Sequence, residues 1–216
     1  MSYPCISLRF MTSGSRLLKD VPFVVFDLET SGDAPSSGAA VTEIGAVKVL
    51  GGKVIAEFQS FVNPGHYLPS FITSLTGITD AMLVGAPTID HILPTFIDFL
   101  GPGDETVLVA HNAPFDMSFM KAAADAHSYD WPDYAVIDTA RVARFVLDRD
   151  EVPNCKLSTL ALFFGSPTSP NHRALDDARA TVDVLHGIFE RLGSYNVTTL
   201  EGLIQFKRKR PRRPID

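Results

Sequence analysis

Cysteine is scarce in this chain: the 216 residues hold two, Cys5 and Cys155. A disulfide framework is therefore excluded, and a reducing compartment, the cytoplasm, is expected. Long apolar runs are missing too. Phe23 to Phe26 and Val107 to Ala110 are the longest, far below the ~18 apolar residues of a membrane span, so no membrane association is expected. The first 20 residues carry Arg9 and Arg16 among Ser, Thr and Gly, without the apolar block of a signal peptide. Gly and Pro, 15 each, are too few and too scattered for a low-complexity chain. No internal repeat is visible. What is present is ordinary for a globular domain: 45% hydrophobic and 20% charged residues. The length suits one domain that buries roughly 70% of its unfolded surface.

Positive charge is also scarce outside one segment. The net charge is −6, yet Lys207-Arg208-Lys209-Arg210-Pro211-Arg212-Arg213 alone holds six positive charges, which leaves a body at −12. By charge alone such a body does not read as a nucleic-acid binder. It suits a cluster of carboxylates that hold cations.

Along the chain, residues 1–20 lack periodicity and predict a loose N-terminal arm. Residues 22–29 are rich in β formers and end in a Ser/Gly/Pro loop, the pattern of a buried strand. Strands near 41–50 and 53–62 follow, joined by Gly51-Gly52, a hairpin signal because both residues tolerate positive φ. Helical spacing appears over 88–99. Val107 to Ala110 predicts a short strand, and Pro114 opens a helix, where its missing N–H costs nothing. Val136-Ile137 predicts a fifth strand, Thr139 to Leu147 a helix, and 157–164 a helix ended by Gly165. After Pro170, with Asn171 as candidate N-cap, the stripe Leu175, Ala178, Val182, Leu185, Phe189 and Leu192 marks a long amphipathic helix ended by Gly193. Three strands followed by alternating helices and strands predict an α/β fold: a five-stranded mixed sheet flanked by helices.

Three patterns carry possible chemistry. Asp27 and Glu29, at i and i+2, share one face at the end of the first strand. Buried there they are costly without a cation or partner, although a strand that simply ends in water would also hold them. In His111-Asn112-Ala113-Pro114-Phe115-Asp116, Asp116 falls in a first helical turn, where the helix dipole alone favours an acid, and His111 and Asn112 fit loop or capping roles equally well. In His172-Arg173-Ala174-Leu175-Asp176-Asp177, five residues put Asp177 about 140° around a helix from His172. The two converge only if His172 lies in a non-helical lead-in. Taken together, Asp27, Glu29, Asp116 and Asp177 form an all-oxygen set suited to Mg²⁺ or Mn²⁺, not zinc. Two such ions about 3.5–4 Å apart would balance four carboxylates and clamp a phosphodiester, with His172 as candidate proton acceptor.

Phe26-Asp27-Leu28-Glu29-Thr30-Ser31-Gly32, His111 to Asp116, and His172 to Ala178 resemble the three motifs of the DEDDh (DnaQ-like) 3′–5′ exonucleases. That family includes the proofreading subunit of bacterial DNA polymerase III. The resemblance covers about residues 22–190. It implies a ribonuclease H-like fold, with an exonuclease domain over 21–205 between the arm and a basic tail at 206–216. It implies metal binding by Asp27, Glu29, Asp116 and Asp177, two Mg²⁺ or Mn²⁺ as cofactors, and His172 as general base, leaving Asp176 free. Thr42 to Ala46 resembles the family's second strand, with Glu43 structural. Ser74 to Thr79 resembles a loop that touches terminal nucleotides, with Leu75 as an apolar wedge; an ordinary helix C-terminus at Gly77 fits the same residues. Asp138 is expected as a helix N-cap. Nucleotide contacts are implied for Leu28, Thr30, Leu75, His111, Asn112 and Phe115. The expected partner is nucleic acid with a 3′ end, DNA or RNA, and a DNA polymerase is a further one. The expected activity is release of nucleoside 5′-monophosphates from single-stranded or mismatched DNA ends. RNA trimming or oligoribonuclease activity, or a non-catalytic polymerase-associated module, are the alternatives.

Overall fold

The near-continuous apolar run of β1 (Phe23–Thr30) suits a strand covered on both faces, and seven of its eight residues are buried. β1 is the middle strand of five. The computed structural model, which describes residues 15–148 and 150–207, places it between β2 (Val41–Leu50), antiparallel, and β4 (Val107–Ala110), parallel. β3 (Lys53–Phe61) and β5 (Ala135–Asp138) are the edges of the order β3-β2-β1-β4-β5. Gly51 and Gly52, at φ 60° and 74°, make the β2–β3 turn that their sequence predicts.

Alternation along β1 sorts its side chains between two cores. Val24, Phe26 and Leu28 pack beneath α3 (Ile89–Leu100) and α4 (Ala113–Ala126). Phe23 and Val25 pack beneath α5 (Thr139–Val146), α6 (Leu157–Phe164) and α7 (Ala174–Gly193). Asp27 and Glu29 continue the second set, so they face the α7 side of the sheet.

α7 reaches that face because of one glycine. Gly45 is the β2 partner of Asp27, and a β-carbon there would lie 2.1 Å from the backbone nitrogen of Leu175. The first turn of α7 therefore rests directly on the strand beside Asp27, and Asp177 sits in that turn. Gly45→Ala should push the helix off the sheet, cost about 1–3 kcal/mol or more in urea unfolding, and slow any chemistry that needs Asp177 beside Asp27.

Several segments differ from expectation. Residues 15–20 are not a loose arm: Leu17 bridges Thr199, Leu18 N–H donates to the Thr198 carbonyl, and Arg16 donates to the carbonyls of Asp104 and Glu105. Such isolated bridges carry no periodicity to be read. α1 (Ser70–Thr76), α2 (Asp80–Leu83) and α8 (Leu200–Gln205) are likewise too short for a helical repeat. Residues 1–14, and the basic run beyond Lys207, lie outside the described residues, as do the expectations that fell on them. Among the described residues no helix is long and apolar enough to cross a membrane.

Candidate active site

The three patterns meet at one end of β1. A cleft of about 270 Å³ there is lined by Asp27, Glu29, Asp116, His172 and Asp177 together with Leu28, Thr30, Phe71, Leu75, His111 and Phe115. A second hollow, about 320 Å³ around Trp131 and Tyr129, holds none of the motif acids.

Each acid arrives on a different support. Asp27 and Glu29 come from β1. Asp116 comes from α4 on the opposite face, where its carboxylate accepts the Leu28 backbone N–H at 3.2 Å; that bond carries it across to the strand end. Asp177 comes from α7 and accepts the Asn171 backbone N–H at 2.9 Å. His172 lies in the non-helical lead-in, at φ 58°, the arrangement its spacing from Asp177 demanded. Glu29, His172 and Asp177 each offer a ligand atom within 4.8 Å of the other two, close enough to share a cation.

The electrostatics show how poorly these acids suit each other unaided. Glu29 is 8% exposed, Asp116 3% and Asp177 7%. Burial, reinforced by Asp177, pushes the Glu29 carboxyl up to about 8. Burial pushes Asp116 to about 8 as well, and raises Asp177. Asp27 is raised well above the ordinary carboxyl range, first by burial and then by Asp116, Asp177 and Glu29. Oxygen donors that repel one another in a low dielectric form a set completed by hard divalent cations.

The remaining motif residues are placed as follows. Asp176 faces away, paired with Arg179 at 3.2 Å. His111 lines the cleft, but both ring nitrogens are engaged, with Thr139 Oγ1 and the Cys155 carbonyl, and burial lowers its pKa. Asn112 does not line the cleft; it holds the left-handed N-cap position of α4, and its N–H goes to Asp138. Asp138 caps α5 as expected, accepting from Ala140 and Arg141 N–H. Asn171 is not the cap of α7: that position is Arg173, and the Asn171 side chain instead accepts the Arg173 N–H. Gly77 does end a helix, at φ 71°, and Leu75 on that helix lines the cleft.

Two residues went unread. Phe71, 62% exposed, lines the cleft with Leu75, 52% exposed, one turn away. The i, i+4 pair of large apolar residues in a helix whose buried side is supplied by Ile72 was the available signal. Arg173, inside the third motif, donates through Nε and Nη2 to both oxygens of Glu43, each at 3.0 Å. Glu43 stands directly opposite Glu29, a like-charge pair that is destabilising unless neutralised.

The family described as Exonuclease (RNase_T) matches residues 24–185. The chain belongs to this exonuclease family. It is a DEDDh, DnaQ-like member with a ribonuclease H-like sheet. A candidate bifunctional exonuclease/endonuclease of Mycobacterium tuberculosis is 52% identical over 187 residues, 84% of this chain and 28% of that protein. The PolC-type DNA polymerase III of Caldanaerobacter subterraneus subsp. tengcongensis is 38% identical over 190 residues, 88% of this chain and 13% of the polymerase. The chain thus spans under a third of the length of these curated relatives. Among solved structures, exonuclease X bound to 5′-overhanging duplex DNA superposes with a TM-score of 0.61 at 23% identity, over 84% of this chain and 99% of that one. The nuclease domain of 3′hExo bound to rAMP gives 0.66 at 19%, over 80% and 94%. At these identities the likeness is one of fold.

Proposed function

We propose that this exonuclease-family chain removes nucleoside 5′-monophosphates from the 3′ ends of DNA, acting on single-stranded or mismatched ends. The observation that carries the reading is the convergence of four acids from β1, α4 and α7 with His172 in one cleft. Asp27, Glu29, Asp116 and Asp177 would hold two Mg²⁺ or Mn²⁺ ions. When bound, such ions neutralise the acids and polarise a phosphodiester. His172, exposed at the cleft rim, takes the proton of the attacking water. Phe71 and Leu75, lining the cleft, offer an apolar surface on which terminal bases can rest. DNA as substrate, and a DNA polymerase as partner, are supported by the 38% identity to the PolC-type polymerase. A cytoplasmic site of action fits the low cysteine content.

A time course on 3′- and 5′-labelled single strands of DNA and RNA, with and without Mg²⁺ or Mn²⁺, tests this. A 3′ label should appear at once as mononucleotide, only with the divalent ion, and faster from DNA than RNA. Paired ends should be slower by an unpairing cost of a few kcal/mol or less. Cutting of a closed circular strand would overturn the reading, and preference for RNA would move it to an RNA-trimming enzyme. Base stacking on an aromatic is worth about 1–3 kcal/mol, so Phe71→Ala should raise KM on single-stranded DNA by about tenfold or more while kcat changes little.

A further inference from the structure

We propose that Glu43 and Arg173 are positioning residues that hold His172 against the acids; the proposal rests on His172 being the proton acceptor. His172 has a left-handed backbone, φ 58°, which a residue with a β-carbon adopts only where its surroundings over-determine it. Both neighbours are tied down. On one side, Asn171 donates its backbone N–H to Asp177 Oδ1 at 2.9 Å and its side-chain amide to Asp176 Oδ2 at 3.0 Å. On the other, Glu43 accepts from Arg173 Nε and Nη2, both at 3.0 Å, and from the Ala174 N–H at 3.2 Å.

The anchor is rigid. The Glu43 side chain is fully buried in β2, and Gln59 on β3 adds a further bond to it at 2.6 Å. The Arg173 guanidinium also lies 5.2 Å from the centre of the Phe61 ring. A buried ion pair is weak evidence for stability, since apolar residues of similar size often serve as well. A two-pronged guanidinium–carboxylate contact does fix both distance and angle. Because Glu43 is the cross-strand partner of Glu29, the contact ties the residue after His172 to the strand pair that carries an acid of the site. His172 is thereby tied to Glu29 through the sheet, in addition to its own backbone hydrogen bond to Asp177.

Kinetics of Arg173→Lys, Glu43→Gln, His172→Ala and the two doubles with His172→Ala, on single-stranded DNA with Mg²⁺, test the clamp. Lysine keeps the charge and loses the fork. Each single clamp variant should lower kcat about 10- to 100-fold, the cost of a misplacement on the order of 1 Å, with KM little changed. In the His172→Ala background the same substitutions should add little, because residues acting as a unit are non-additive. Fully additive losses would overturn the clamp while leaving His172 as proton acceptor. A His172→Ala enzyme at full rate would overturn the proton-acceptor reading, and the clamp with it. If Glu43→Gln folds poorly, Arg173→Lys, at a side chain 33% exposed, carries the test. There, hydrogen exchange at residues 171–174 should accelerate, and unchanged exchange with unchanged kcat would overturn the proposal.

Discussion

Asp27→Asn should abolish cleavage and at the same time raise the melting temperature of the metal-free protein. The two effects have one origin. Four carboxylates, three of them buried, converge from three elements, and without cations they resist ionisation: Glu29 and Asp116 are pushed to about 8 and Asp27 well above its ordinary range. Carboxyls in an unfolded chain titrate near 4. Between those values the folded state holds more protons than the unfolded state, so stability falls as pH rises. It is fully retained below about pH 4 and lost through about pH 8, a loss on the order of a few kcal/mol. Asparagine removes one charge from the set. In chelator at pH 8 the variant should melt about 3–10 °C above wild type, taking about 2–4 °C per kcal/mol for a chain of this size. At pH 5 the difference should be much smaller, and below about pH 4 it should vanish. Mg²⁺ should then reverse the order, since a ligand at 100 times its Kd stabilises by about 2.7 kcal/mol and the variant has lost a holder. Differential scanning fluorimetry across pH, with and without Mg²⁺, reads all three. Normal turnover by Asp27→Asn would sink the metal-dependent reading; a folding collapse would give Asp27 a structural role instead.

The parts of the fold that were legible in the sequence are those whose signal repeats. β1 is an unbroken apolar run, α7 a stripe at helical spacing, and the β2–β3 turn a Gly-Gly pair; each depends on several residues that agree. The acids were legible for a different reason: charge placed where a core element ends is costly, so its position is informative. What escaped depends on contacts between distant segments. Gly45 looks like any strand glycine until Leu175 is laid on it. Arg173 looks like a solvated helix-start residue until Glu43, 130 positions earlier, is found beneath it. Leu17 meets Thr199 through a single backbone bridge, which no side-chain pattern announces. Asn171 was expected to cap α7 because its type favours that role, but Asp176 and Asp177 bind its amides first.

His172→Ala should lose about 10²–10⁴-fold in kcat, the usual size of general acid–base catalysis, and should lose little else. The site's geometry separates this residue from the acids. His172 is exposed while Glu29 and Asp177 are buried, yet its ring lies close to both, so it is placed to take a proton from a water at the cleft rim. Mn²⁺ affinity, measured by titration, should change far less than in Asp27→Asn because all four acids remain. Stability sets the last control. A left-handed backbone at φ 58° strains any residue with a β-carbon, and glycine adopts it without that strain. His172→Gly should therefore be no less stable than His172→Ala and equally slow. A histidine kept where glycine folds as well is there for what its ring does. Wild-type rates in either variant across neutral pH would remove the ring from the mechanism and leave the acids to act alone.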